Sequence, residues 1–281
     1  MATPIGHLGD FSARARETLA GAELILAEDT RVLARLLAAA GLSARGRIVS
    51  AHEHNEVERV AEVIEYLQIG QPVAFVSDAG MPVVSDPGFV LVRAILAAGF
   101  PVRVVPGPSA AVTALAASGL PPDRFRFVGF LPPTGARRDA ALRACLDAHE
   151  TQILFESSHR IASLLETLAR LSPKRRVSVQ RELTKRHEEH VLATADALPG
   201  WLAEDGNRSR GEFVVIIEAA PDKDADADWS PEVERLLTTL AGQLPARVLA
   251  RAVADAFGLN TNRVAQYLMT RDASEKAGSR E

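Results

Sequence analysis

The stretch SDAGMPVVSDPG, residues 77–88, crowds two Ser-Asp pairs, two Gly and two Pro into one connection. An apolar run of strand character, PVAFV (72–76), leads in, and a run of helical character, FVLVRAILAAG (89–99), leads out. Strand-to-helix connections usually take ~2–6 residues, so this one is overlong. Gly lets a backbone approach a ligand closely, and Pro holds an unusual path at low entropic cost. A long loop of these residues after a strand predicts a ligand loop in an open α/β sheet, where ligands sit beyond the carboxyl ends of strands.

Outward from this loop, strand-like and helix-like runs alternate. ELILAE (23–28) precedes TRVLARLLAAAG (30–41), which stops on Gly41. Asn55 followed by Glu58 reads as a capping box opening EVERVAEVIEYLQIG (56–70). PVRVV (101–105) reads as a strand, followed by PGPS (106–109) and the helix AAVTALAASG (110–119). Beyond LPPTGARR (131–138) come TQILFE (151–156), SHRIASLLETLARL (158–171), RRVSVQ (175–180) and GEFVVIIEA (211–219). This alternation predicts an α/β fold with a largely parallel sheet, divided into two α/β domains, 1–107 and 108–220.

The rest of the chain changes character. PDKDADADWSP (221–231) reads as an acidic linker, 232–272 as a helical module and 273–281 as a disordered tail. Gly258 and Asn260 mark a tight turn between the last two helical runs, which resembles a helix-turn-helix; small three-helix packs also serve as plain docking modules.

The 281 residues are 47% hydrophobic and 24% charged, a globular composition. No apolar run approaches the roughly 20 residues needed to span a bilayer. The opening MATPIGHLGD carries neither the basic nor the apolar region of a signal peptide, so the expectation is a soluble cytoplasmic protein without a membrane partner. The one cysteine, Cys145, excludes an internal disulfide and a cysteine zinc cage. A net charge of −4 with a basic cluster over Arg170–His190 permits a nucleic-acid partner without demanding one.

Four Gly/Pro-rich loops stand at strand ends: 2–10, 77–88, 106–111 and 155–160. Backbone N–H groups at a helix start suit a carboxylate, and an Asp in the same loop suits an ammonium group, so a ligand with an amino acid moiety fits. No P-loop sequence and no G-x-G-x-x-G occurs, which argues against those nucleotide sites. Asp78 and Asp86 also read as a glycosidase-type pair, though one shared Gly/Pro loop is a poor place for it, or as residues that only pin turns. In HEH (52–54), two imidazoles on one side of a strand offer a metal pair without a third ligand; a turn before Asn55 or a substrate-facing loop is the simpler reading. His159 with Arg160 faces the cleft, whereas His187 and His190 lie exposed among charges.

In order along the chain, ATPIGHLGD, AEDTR, HEHNE, VSDAGMPVVSDPG, PGPSAAVTAL, SGLPPDRFRFVGFLP, FESSHR, RELTKRHEE and GEFVVIIE resemble the motif series of the rRNA small subunit methyltransferase I family. That family belongs to the tetrapyrrole methylase-like, class III S-adenosylmethionine-dependent methyltransferases. The resemblance covers residues 2–219 and, more loosely, the terminal helices. It implies two α/β domains with S-adenosyl-L-methionine folded between them, a homodimer, and methylation of a cytidine ribose 2′-hydroxyl in the decoding region of 16S rRNA. By motif position, Pro4 and Gly6 would line the first cofactor loop; Ser77, Asp78, Ala79 and Gly80 would hold the methionine end. Ser109 and Ala110 would border the cofactor from the next loop, and Glu156 and Leu183 from the second domain. On this reading SDAGMP shapes the cradle and VVSDPG caps the following helix.

Two departures stand out. The family usually has Asn at the position of His7. It also has a short apolar strand before ATPIG, where this sequence starts at Met1; the expectation is an upstream in-frame apolar segment.

A ribose hydroxyl is a weak nucleophile, so a general base or a cation favouring its alkoxide should help. Candidates are Glu182, Lys185 and Glu156, each equally readable as a salt-bridging residue. RNA holding needs cations: Arg124, Arg126, Arg137, Arg138, Arg181, Lys185 and Arg186 are candidates, with 16S rRNA or the assembled small subunit as partner. Alternation in DRFRF (123–127) predicts Arg124 and Arg126 on one face, opposite Phe125 and Phe127, which fits either an arginine face over a packed core or a solvated edge strand. Two other functions stay open. A tetrapyrrole methyltransferase would not need the GFLPPTGARR loop or the basic RELTKR stretch, and a non-catalytic RNA-binding ribosome factor would bind no methyl donor.

Overall fold

The computed structural model describes residues 1–221, 230–259, 261, 263–265 and 267–269. They divide into two units, Met1–Ala220 and Pro221–Glu281.

The first sheet is built on LILA, every residue of which is buried. Such a run, apolar on both faces, is the pattern of a central parallel strand. This strand, β1 (Leu24–Ala27), lies between β2 (Arg47–Ser50) and β3 (Val73–Val76), both parallel to it. Helices α1 (Ala13–Gly21), α2 (Thr30–Ala39), α3 (Glu56–Gln68) and α4 (Phe89–Ala97) supply the layers. Side-chain alternation splits β1 between two cores: Ile25 and Ala27 pack with Leu19, Leu33 and Leu37, while Leu24 and Leu26 pack with Val63, Leu91 and Ile95. Ser12 caps α1 through the Ala15 N–H, and Asp29 caps α2 through the Arg31 N–H.

After α5 (Ala110–Ala117), a second sheet forms from β4 (Phe125–Phe130), β5 (Thr151–Ser157), β6 (Arg176–Arg181), β7 (Glu189–Thr194) and β8 (Glu212–Ile217), in the order β4-β5-β8-β6-β7. Helices α6 (Ala136–Asp147), α7 (Ile161–Leu171) and α8 (Leu198–Ala203) accompany it. Leu164, Leu165, Leu168, Val177, Val179 and Val215 form the core on one face. Ile153, Leu183, Val214 and Ile216 pack with Ala111, Ala114 and Leu115 of α5 on the other. The two sheets fall on either side of residue 107, and both belong to the unit Met1–Ala220.

Several expectations need correction. The parallel arrangement holds in the first sheet and between β4 and β5; β5–β8, β8–β6 and β6–β7 are antiparallel. The short connection from β6 to β7 allows only an antiparallel return, since a parallel one needs a long crossover. PVRVV is not a strand: 101–109 carries no regular structure, and Val104 is 63% exposed. A ladder needs a paired neighbour, and Val105 O accepts one bond, from the Ala2 N–H at 3.0 Å. Asn55 precedes α3 as expected but makes no side-chain cap. Its Oδ1 accepts from the His52 N–H at 2.8 Å, closing the turn before the helix. Strands β2 and β7 went unread because RIVS is short and EHVLAT is framed by charge.

In the second unit, α9 (Pro231–Leu240) starts on Ser230, whose side chain accepts from the Val233 N–H. Helix α10 (Ala246–Phe257) ends on Gly258 at φ 66°, a left-handed stop that glycine favours. Val233, Leu237, Leu249, Val253, Val264 and Leu268 form its core. Residues 222–229 of the acidic linker, Asn260 of the expected turn, and 270–281, with the tail, lie outside the described residues. Among the described residues no helix is long and apolar enough to cross a membrane.

Candidate active site

At the edge of the second sheet where β4, β5 and β6 end and β8 begins, a cavity of about 340 Å³ opens. Its apolar walls include Ile5, Phe130, Phe155, Leu183, Phe213 and Val214. Of the expected cofactor residues, Ala110, Glu156 and Leu183 border it directly. Ser109 stands at the N-cap position of α5 without a side-chain cap bond.

Pro4 and Gly6 flank Ile5, which sequence reading missed between them. Gly6 answers to the protein as well as to any ligand. A β-carbon there would lie 2.5 Å from the Lys185 Cγ and 2.6 Å from the Thr184 Oγ1. The first loop thus passes directly against the RELTK loop, and the His7 N–H donates to the Thr184 Oγ1 at 3.1 Å. On its other side, Thr3 and Gly80 exchange two backbone hydrogen bonds of 2.9 and 3.1 Å. A β-carbon on Gly80, whose φ is 75°, would meet the Ile5 side chain at 3.3 Å. Ser77, Asp78, Ala79 and Gly80 do not line the cavity; Gly80 packs against the loop that carries Ile5.

The carboxylates at the end of the first sheet are tied to backbone. Asp78 Oδ1 accepts from the Asp29 N–H at 3.0 Å, and the Asp78 N–H donates to Glu28 Oε2 at 3.2 Å. Asp78 thus pins a turn in this structure. Burial raises the Asp86 carboxyl to about 6; a hydrogen bond with Ser77 holds it back, and the charges of Glu28 and Asp78 add to the rise. Burial likewise lifts Glu28 and Asp78 above the ordinary carboxyl range. VVSDPG supplies the N-cap residue of the next helix, as expected, but with no side-chain cap bond. Gly88, at φ 117°, occupies the N-cap position of α4, and its N–H reaches buried Glu56 Oε2 at 2.9 Å. Glycine is needed there, because a β-carbon would run into the Phe75 ring. In the same loop Val83 and Ser85 hold left-handed φ values of 75° and 64°. Such residues persist only where their surroundings over-determine them.

RELTK repeats that strain, with Glu182 at φ 51° and Thr184 at φ 63°. Lys185 Nζ lies 2.9 Å from both Glu182 Oε1 and Glu212 Oε2, and Glu182 Oε1 also accepts from the Glu212 N–H at 3.0 Å. Burial pushes Glu182 up, but these hydrogen bonds outweigh it and leave its carboxyl below the ordinary range. Burial pulls Lys185 down, and its bonds to Glu212 and Glu182 more than offset this, leaving the ammonium above its ordinary range.

Glu156 is 2% exposed. Arg160 Nε lies 2.7 Å from its Oε1, and Arg138 Nη2 lies 3.5 Å from its Oε2. Two of the expected RNA cations have such ties within the protein. The Arg138 side chain lies 12% exposed beside Glu156, the two forming an ion pair without a hydrogen bond. Arg181, 8% exposed, donates to Arg210 O and His187 O and braces the segments on either side of β7 and α8. Arg124, Arg126, Arg137 and Arg186 are exposed. Of the two readings of DRFRF, the edge strand is the one the structure shows. β4 is an edge strand, and Phe125 is 45% exposed, while Phe127 turns in to meet the Phe155 ring at 4.9 Å. HEH lies in a turn, not on a strand, with the His52 and His54 rings 6.0 Å apart. Among the described residues, no group of three or more His, Cys, Asp or Glu side chains is placed to hold a metal. His159, His187 and His190 are exposed.

Sequence reading also missed Gln180, Gly211, Phe213 and Val214 on the cavity wall. The strand pattern of GEFVVIIE was legible; its antiparallel insertion between β5 and β6, which brings Phe213 opposite Glu156, was not.

The profile of the family described as Tetrapyrrole (Corrin/Porphyrin) Methylases matches residues 2–199. The Ribosomal RNA small subunit methyltransferase I of Haemophilus influenzae is 41% identical over 268 residues, covering 95% of this chain and 94% of its own. That of Xylella fastidiosa is 45% identical over 263 residues, covering 92% and 93%. Among solved structures, the methyltransferase CobJ matches with a TM-score of 0.55 at 21% identity, over 77% of this chain and 91% of that one. The uroporphyrin-III C-methyl transferase from Thermus thermophilus, complexed with S-adenyl homocysteine, matches with a TM-score of 0.52 at 22% identity, over 76% and 94%. At these identities the two structures speak for the fold alone.

Proposed function

The chain belongs to the tetrapyrrole methylase family and, within it, to the rRNA small subunit methyltransferase I group, and from that membership we propose that it transfers a methyl group from S-adenosyl-L-methionine to the ribose 2′-hydroxyl of a cytidine in the decoding region of 16S rRNA. The observation that carries this reading is convergence. Six of the quoted motifs, far apart in sequence, each contribute to one cavity: Ile5, Ala110, Phe130, Glu156, Leu183 and Phe213 stand for them.

The residues present suit the donor. Apolar walls match a flat adenosine, and the buried side chain of Gln180 at the cavity leaves its amide oxygen without a hydrogen-bond partner. Ile5, Ala110, Glu156 and Leu183 would hold the nucleoside, with Pro4, Gly6, Ser77, Asp78, Ala79, Gly80 and Ser109 shaping the adjoining loops. When bound, S-adenosyl-L-methionine supplies a methyl group on a positively charged sulfur, whose charge is lost on transfer.

Ile5, Phe155, Leu183 and Val214 exclude water, which favours loss of charge and leaves alignment to contribute much of the acceleration. Lys185 is held protonated, so its part is to favour the developing ribose alkoxide. Glu182, held ionised below the usual range, is a weak base; its part is to hold Lys185. Arg124, Arg126, Arg137 and Arg186 hold RNA phosphates. The protein acts as a cytoplasmic homodimer on 16S rRNA or the assembled small subunit.

The test is methylation of small subunits purified from a strain lacking this gene, with tritiated donor. Label in a ribose is expected. Label in a base, or none, overturns the reading, and absence of donor binding in calorimetry would return the protein to an RNA-binding factor.

A further inference from the structure

Gln180 is 1% exposed, yet it borders the cavity. On β6, Val177 and Val179 pack into the core with α7 and α8, so alternation turns Ser178 and Gln180 to the opposite face. There Gln180 pairs in register with Val214, another cavity residue. Its Nε2 donates to the Ser178 Oγ at 2.8 Å, and its Oε1 has no hydrogen-bond partner. A buried amide oxygen is rarely left without a donor, and each such case asks what supplies one.

We propose that Gln180 is a specificity residue for the donor's base: its carboxamide accepts a hydrogen bond from the exocyclic amine of adenine. This rests on the methyl-donor reading above. Adenine fits because its flat ring matches walls of Phe155, Leu183 and Val214, and its amine is a donor, the complement of a buried amide oxygen that has none. A sugar hydroxyl matches less well, being both donor and acceptor and better suited to wet surroundings.

The experiment is calorimetry with S-adenosylhomocysteine and its 6-desamino analogue, on the wild-type chain and on Gln180→Met. The wild type is expected to favour the amino ligand by about tenfold, the worth of one buried hydrogen bond. Gln180→Met, close in volume and without an acceptor, is expected to bind both ligands within about twofold of each other, the amine having lost its partner. A preference that survives in Gln180→Met overturns the assignment of Gln180 and leaves the donor reading standing. Should Gln180→Met bind neither ligand, Gln180→Glu decides: it keeps an acceptor, and loss of the preference there overturns the assignment too. A wild-type chain that binds no S-adenosylhomocysteine overturns the donor reading and this inference with it.

Discussion

At the end of the first sheet, carboxylates accept from backbone N–H groups: Asp78 from Asp29, Glu28 from Asp78, and Glu56 from Gly88. At the end of the second, they meet cations: Glu156 meets Arg160 and Arg138, and Glu182 meets Lys185. Asp29, which reaches Arg31 at the surface, is the exception in the first group. Burial keeps Glu28, Asp78 and Asp86 above the ordinary range, since backbone N–H groups at the first two and the Ser77 side chain at Asp86 offset it only in part, whereas Lys185 together with the Glu212 N–H brings Glu182 below it. The same residue type thus leaves one end able to respond to protons or to an incoming cation, and the other fixed in charge. On the proposed reading, the first end suits the donor's ammonium group and the second its base and the reacting hydroxyl.

The contrast can be broken at several points. Removing Glu156 should have the largest effect, because it strands Arg138 and Arg160 with little solvent. Glu156→Ala is expected to cost about 3 kcal/mol in urea unfolding; a loss under ~1 kcal/mol would mean that the two arginines find water and the pairing matters little. Next comes the seam between the two ends. Gly6→Ala forces a β-carbon into the Lys185 and Thr184 side chains. An overpacked contact of this kind should cost about 2 kcal/mol, and thermal melting should show it together with weaker donor binding. Melting and binding both unchanged would show that the RELTK loop yields.

Within the first end, Glu56→Ala leaves the Gly88 N–H buried without an acceptor, at a cost of about 1.5 kcal/mol. Glu56→Gln keeps an acceptor and should recover most of that, so equal losses in the two variants would point to charge instead of the hydrogen bond. The smallest expected effect is one of pH. Asp86 titrates near 6 when folded, against an ordinary value of 3.8 for the unfolded chain. Between these values the folded chain binds the extra proton, so Asp86 favours folding at low pH and that contribution is lost as pH rises through about 6. Asp86→Asn removes the dependence. Its stability relative to wild type should climb by about 1 kcal/mol across this window, allowing for solvent screening; a flat difference would place Asp86 in ordinary solvent.

Much of the scaffold was legible beforehand. LILA, VAFV and FVVII show the apolar runs of buried strands, and Gly41, Gly70 and Gly99 stop helices where the structure stops them. Ala110, Glu156 and Leu183 were readable as cavity residues from the motifs that carry them. What escaped depended on partners. Arg138 and Arg181 look like free cations in sequence, and only Glu156 and the carbonyls of Arg210 and His187 show otherwise. VVSDPG supplies the N-cap residue of α4, Gly88, yet the side-chain acceptor for its N–H comes from α3.

By itself, the sequence determined the alternation of elements, the Gly/Pro loops at strand ends and the apolar faces, because these depend on neighbours within a few positions along the chain. The tertiary structure decided which group answers which. It inserted β8 between β5 and β6, laid Gly6 against Lys185, and set the His7 N–H on the hydroxyl of Thr184, 177 residues away. Local periodicity says which way a side chain points, but its charge state and its bonds depend on what distant segments bring beside it. The two Ser-Asp pairs of residues 77–88 illustrate this. Asp78 holds the turn into α2, while Asp86 lies against Ser77 with its carboxyl raised by burial.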